Sequence, residues 1–237
     1  MPSPIPQYRI WDDAKAAKRK FRHEEAIKLY RSVEQDMRDI QAWRADRKER
    51  DNLFDQTLFL GDYLGALADA GLYAEAEQIG ELAIKLIEEN GFRTLKYIYY
   101  NMGSLYLFQK EYERSLPWYE VAMDGQLFYT KANSYLVNCG IALYCLERID
   151  EAKEKFLLAI ESGKGTKYNK SFEPFFFMMK ICKFQCDETQ SQKYKKMYLS
   201  RLKKYSRVEI EWAVSTMEDG AEILTDYEAQ EDTPCNT

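Results

Sequence analysis

Apolar residues along this chain recur at helical spacing, and one order of large and small positions is written twice. The stretch YIYYNMGSLYLFQKEYERSLPWYEVAM, residues 97–123, aligns with SYLVNCGIALYCLERIDEAKEKFLLAI, residues 134–160, on Gly103 and Gly140, which lie 37 residues apart. In that register Tyr99 matches Leu136, Asn101 matches Asn138, Tyr106 matches Leu143, Ser115 matches Ala152, Tyr119 matches Phe156 and Ala122 matches Ala159. Self-similarity at this period is the signature of a helical-hairpin array. Small residues let two helices approach, and large ones fill the space between them. One hairpin cannot bury its apolar face alone, so neighbours must stack.

The pattern weakens towards both ends. Residues 1–7, with prolines at 2, 4 and 6, predict an extended lead-in, with helical periodicity from Tyr8. His23, Ala26 and Tyr30 keep the mutual offsets of Tyr112, Ser115 and Tyr119, which predicts a first, degenerate hairpin. Gly71, Tyr73, Ala76 and Ala83 mark a second. The step from Ala26 to Ala76 is 50 residues, against 39 from Ala76 to Ser115. The extra residues predict a lengthened helix from about Ala42 to Ala70, and Gly91 ends its partner as a left-handed cap. Asp150 is the expected N-cap of the second helix in the 134–160 repeat. SGKGTKYNKS, residues 162–171, reads as a loop. Pro174 then opens an aromatic helix, FFFMMKICKF, followed by a basic helix. A last amphipathic helix is expected over Val208–Met217. Residues 218–237 carry seven acids and no Lys or Arg, which predicts a disordered tail from 219.

Composition narrows the function classes. Net charge is −5, so the whole chain carries no general nucleic-acid signal. No apolar run reaches the length of a membrane span, and no signal peptide is evident at the start. Five cysteines without framework spacing point to free thiols in a reducing compartment, and hence to the cytoplasm. Cys182 and Cys186 lie one helical turn apart, but two thiols with no nearby histidine make a poor metal site. The single histidine, His23, sits at a packing position. No phosphate-binding loop, nucleophile elbow or paired CxxC occurs. The chain therefore reads as a non-enzyme without cofactor.

The repeated residues carry a resemblance. The unit is similar to the tetratricopeptide repeat, through Tyr99, Met102, Gly103, Tyr106, Tyr112, Ser115, Tyr119 and Ala122, and again through Leu136, Cys139, Gly140, Leu143, Ile149, Ala152, Phe156 and Ala159. It departs from the family pattern in lacking the usual early tryptophan, and in having Leu127 and Lys164 where a helix-ending proline is common. The resemblance implies an all-α fold: a right-handed α-solenoid of about five hairpins over residues 8–218, ending in a C-terminal capping helix. It also implies that the concave face, lined by the first helix of each hairpin, binds a peptide or partner helix.

Carried onto this chain, the inward positions are Tyr97, Tyr100, Asn101, Ser104, Leu107 and Phe108, then Ser134, Val137, Asn138, Ile141 and Tyr144. Two amides one repeat apart, Asn101 and Asn138, can donate to and accept from a peptide backbone at once; the alternative is that each bonds a neighbouring helix and braces the stack. The carboxylate clamp of some family members is not matched, because Trp11 and Lys15, Gly61 and Asp62, and Tyr100 and Asn101 stand at its positions. The expectation is a protein-interaction scaffold or adaptor with a protein or peptide partner. Its rivals are a ligand-sensing regulator, a chaperone for a hydrophobic client, and a homo-oligomer built through Phe175–Phe177. Lys193–Arg207 holds seven basic residues. They form either a nucleic-acid patch, which is disfavoured, or a solvated face answering the acidic tail.

Overall fold

A computed structural model describes residues 6–44, 46–92, 95–124, 132–164, 171–215 and 217–231. All regular structure among them is helical, in two compact units, residues 1–109 and 110–237. The first unit contains α1 (Pro6–Arg19), α2 (His23–Arg38), a short α3 (Ile40–Trp43), α4 (Glu49–Asp69), α5 (Tyr73–Asn90) and α6 (Lys96–Phe108). The second contains α7 (Tyr112–Met123), α8 (Ala132–Cys145), α9 (Ile149–Ser162), α10 (Glu173–Phe184), α11 (Glu188–Leu202), α12 (Arg207–Ser215) and α13 (Gly220–Glu231).

The hairpin turns share one device. Phe21, Gly71, Lys110, Glu147 and Cys186 all have positive φ, between 56° and 75°. A left-handed residue lets the next N–H reach back to the end of the previous helix. Arg22 N donates to Ala17 O, Leu72 N to Leu67 O, Arg148 N to Leu143 O and Asp187 N to Cys182 O, all at 2.9–3.1 Å. Only one of these turns uses glycine. After each turn a small residue is buried: Ala26, Ala76, Ser115, Ala152 and Ser191. Ser191 puts the last hairpin, α10–α11, in the same register as the others.

Each unit has an aromatic core. In the first, Tyr30 stacks on Tyr63 with centroids 5.2 Å apart, and Phe59 lies 5.7 Å from Tyr30. In the second, Phe156 stacks on Phe177 at 5.2 Å, and Phe176 lies 5.3 Å from Tyr198. Burying one such ring stabilises the fold by about 1.5–3 kcal/mol. Gly140 accepts the Phe156 ring: an added Cβ would lie 2.7 Å from it.

Several expectations are corrected. Helix α1 begins at Pro6, where proline suits a first turn, so the lead-in ends before Tyr8; residues 1–5 lie outside the described residues. The expected long helix from Ala42 starts at Glu49 instead. Glu49 and Asp51 occupy its first turn, where the helix dipole favours acids, and Asn52 Nδ2 bonds Arg44 O across the break at 3.0 Å. Asp150 lies inside the first turn of α9, whose cap position is Arg148.

The tail expected to be disordered from 219 forms α13 over Gly220–Glu231, because Ile223 and Tyr227 are one turn apart and both buried; residues 232–237 lie outside the described residues, as do residues 165–170 of the expected loop. Phe175, Phe176 and Phe177 are buried within the unit, which closes the oligomer face proposed for them.

Candidate functional site

Six of the eleven expected inward positions lie on α6 in the first unit and five on α8 in the second. On α6 the polar groups face α4. Asn101 Nδ2 donates to Gly61 O at 3.0 Å, and the Tyr97 hydroxyl donates to Leu58 O at 3.0 Å. The approach is close because α4 carries glycines there: a Cβ on Gly61 would lie 2.5 Å from Ile98 Cγ1, and one on Gly65 would lie 3.0 Å from Asn101 Nδ2. Tyr100 and Phe108 are half-buried and Ser104 is buried.

The face of α4 towards α1 is closed by three aspartates two turns apart. Asp55 meets Tyr8 and Arg47, Asp62 accepts from Trp11 Nε1 at 3.0 Å, and Asp69 pairs with Lys18 at 3.1 Å. Lys15 stands 4.5 Å from the Trp11 ring centroid. The two residues at the unmatched clamp positions on α1 are thus engaged with each other. Their chemistry is a salt-bridged and hydrogen-bonded brace.

On α8, Ser134 is exposed, Asn138 and Tyr144 are half-buried and Ile141 is buried. Ile141 and Tyr144 line a cavity of about 680 Å³ with Phe177, Ile181 and Phe184 of α10. Tyr144 lies 4.9 Å from the Phe177 ring, and burial raises its hydroxyl pKa. Phe184, at the edge of this cavity, is 80 % exposed. Cys145 also lines the cavity, and burial pushes its thiol up to about 11. The α10 residues were not named as site residues from the sequence. Their signal was FFFMMKICKF, where the run of aromatics disguised which ones turn towards α8.

His23 lies 6.2 Å from the Phe21 ring beside its turn. No group of three potential ligands for a metal occurs among the described residues. Nor is any helix among them long and apolar enough to cross a membrane. The basic 193–207 segment and the C-terminal helix do interact: Arg207 pairs with Glu228 at 3.3 Å, and the Tyr227 hydroxyl donates to Tyr205 O at 3.4 Å.

No protein-family model matches the chain, and no curated protein matches it. Solved structures do. BtubC (BKLC) from P. vanneervenii superimposes with a TM-score of 0.66 at 16% identity, over 82% of this chain and 78% of that one. MamA of MSR-1 gives 0.54 at 15% identity, over 85% and 99%. MamA 41-end from Desulfovibrio magneticus RS-1 gives 0.54 at 14%, over 86% and 99%. Identities this low show a shared fold: the chain is an all-α, tetratricopeptide-like helical-repeat protein.

Proposed function

We propose that the chain is a protein-interaction scaffold or adaptor that binds a peptide or partner helix on the first helices of its hairpins. The observation that carries this reading is the aromatic cavity between α8 and α10, where two expected contact residues, Ile141 and Tyr144, meet Phe177, Ile181 and Phe184. Aromatic side chains with polar tips are favoured interface components, and a half-exposed aromatic surface of this kind is where a partner gains most from burial. Buried free thiols at Cys139 and Cys182 fit a reducing compartment such as the cytoplasm. The volume of about 680 Å³ also lies within the range of small-molecule sites, which keeps the ligand-sensing regulator as the second reading.

The amide of Asn101 already serves α4, so a ligand role there uses its remaining acceptor capacity.

The test is a native pull-down with mass spectrometry, comparing wild type with Tyr144→Ala and with Asn101→Ala/Asn138→Ala, each shown by circular dichroism to be folded. Loss of one stoichiometric partner on Tyr144→Ala supports the reading. Unchanged recovery with both variants overturns it.

A further inference from the structure

Residues 217–219, just before α13, lie against the first helices of the last two hairpins. Met217, Glu218 and Asp219 form one wall of the cavity lined by Tyr144 and Phe177. Two polar contacts hold them, and a third holds Glu222 in the first turn of α13. The Tyr112 hydroxyl donates to Glu218 Oε1 at 2.8 Å, and Lys180 Nζ donates to Asp219 Oδ1 at 2.6 Å and to Glu222 Oε2 at 3.1 Å. Burial works against the charge on Lys180, but the two carboxylates outweigh it and hold its pKa above the ordinary value. A second cavity of about 490 Å³ shares Tyr144 and Phe184, and is lined also by Lys180, Lys183, Lys195 and Glu188.

Without its own C-terminal segment this surface would present an aromatic floor, three lysines, and the acids Glu147 and Glu188. Its chemistry complements a segment that is both acidic and apolar, and Met217–Glu222 is such a segment. Further along, α13 is fixed independently, by buried Ile223 and Tyr227 and by the Arg207–Glu228 pair. Residues 217–219, with the first turn of α13 (Gly220–Glu222), can therefore leave the cavity wall while α13 stays docked from Ile223 onward.

We propose that the α8–α10 surface is a docking site for an acidic, apolar peptide segment of a partner protein, and that Met217–Glu222 of this chain occupies it as an intramolecular competitor. The proposal rests on reading the chain as a protein-interaction module. It names the chemistry of the partner: an aliphatic or methionine anchor for the aromatic floor, and carboxylates for Lys180, Lys183 and Lys195. Affinity falls with salt, because the pairing is partly exposed.

The experiment uses the full chain with Cys186→Ser and Cys235→Ser, and a fluorescent peptide copying residues 213–226. Asp219→Lys/Glu222→Lys repels the competitor from Lys180, and Asp219→Asn/Glu222→Gln serves as a milder pair should the first fail to fold. We expect the peptide to bind the released variant at least tenfold more tightly than wild type. The alkylation rate of Cys145 rises several-fold in the same variant, since its thiol becomes accessible. Adding Lys180→Glu removes binding, and a peptide carrying lysine at 219 and 222 restores it.

Absence of binding to both released variants, or binding indifferent to Lys180→Glu, overturns the proposal. A doubled mass in light scattering, with the segment exchanged between two chains, overturns the assignment to a partner protein and gives the site to a second copy. A failed peptide assay beside an intact pull-down partner removes this site and leaves the interaction reading standing.

Discussion

The α4 surface of the first unit and the α8–α10 surface of the second are built from equivalent helices and have opposite chemistry. On α4 the potential recognition groups are spent on one another. Three aspartates answer α1 and Arg47, and two glycines bring Tyr97 and Asn101 onto backbone carbonyls. On α8–α10 the exposed groups are aromatic, and what meets them is an acidic segment held by Tyr112 and one lysine. A surface of satisfied internal bonds has little to offer a partner, because each new contact must replace an existing one. An aromatic surface covered by a few part-exposed polar contacts is easier to exchange. Repetition of a hairpin thus preserves packing and leaves the face chemistry free to differ.

Four measurements would break or sharpen that contrast. The largest effect is expected where the α8–α10 surface depends on what lies beneath it. Phe156→Ala removes a ring stacked on Phe177 and supporting the cavity floor, and should cost about 3–5 kcal/mol in urea unfolding. A loss below 1 kcal/mol would mean that the floor does not rest on this stack.

Next is Gly61→Ala. Its Cβ would press on Ile98 and the Tyr97 hydroxyl, so a loss of about 1–3 kcal/mol is expected. A neutral result would show that α4 and α6 are less closely apposed, and would weaken the picture of a closed brace.

Smaller again is Asn101→Ala, which deletes the bond to Gly61 O and should cost about 0.5–1.5 kcal/mol. If stability is unchanged while partner binding falls, Asn101 belongs to recognition and the contrast between the two surfaces fails.

The smallest is pH-dependent. Glu75 is held below the ordinary carboxylate range, first by the hydrogen bond from Arg31 at 2.6 Å and then by the Tyr63 hydroxyl at 2.8 Å. A lowered folded-state pKa gives stability that is present above the unfolded value and lost as pH falls through the folded one. The pair is part-exposed, so after solvent screening only a few tenths of a kcal/mol are expected. Glu75→Gln should flatten the stability profile below the ordinary carboxylate value of 4.5. An unchanged profile would show that this pair adds nothing to the first unit.

The hairpin turns offer a further test of how the repeat is encoded. Glu147 holds φ 59°, a conformation costly for a residue with a side chain. Glu147→Gly should stabilise by about 0.5–1 kcal/mol, read as a raised denaturation midpoint. A loss would show that the Glu147 side chain contributes more at the cavity edge than its backbone costs.

Much of the fold was legible because burial repeats. Gly140 against Phe156, the small residues Ala26, Ala76, Ser115 and Ala152, and the Gly91 cap each follow from local size or from the freedom of glycine. The left-handed conformation of four turns was not announced, because Phe21, Lys110, Glu147 and Cys186 are residue types that do not signal it. Helix α13 was hidden for a related reason. Its acids resemble a solvated tail, and only its contacts give Ile223 and Tyr227 something to pack against.

The candidate site divides in the same way. Sequence placed Ile141, Tyr144 and Asn101 on the first helices of their hairpins, because repeat register fixes helix faces. It could not choose between bracing and recognition, since an amide or a tyrosine serves either. Tertiary structure adds the neighbours that each side chain meets. Gly61 and Gly65 bring a carbonyl within reach of Asn101, whereas Tyr144 meets aromatic rings and an acidic segment from residues 217–219. The periodic pattern determined the helices and the buried faces. Which exposed groups satisfy one another depended on contacts between residues far apart in the chain, which periodicity does not encode.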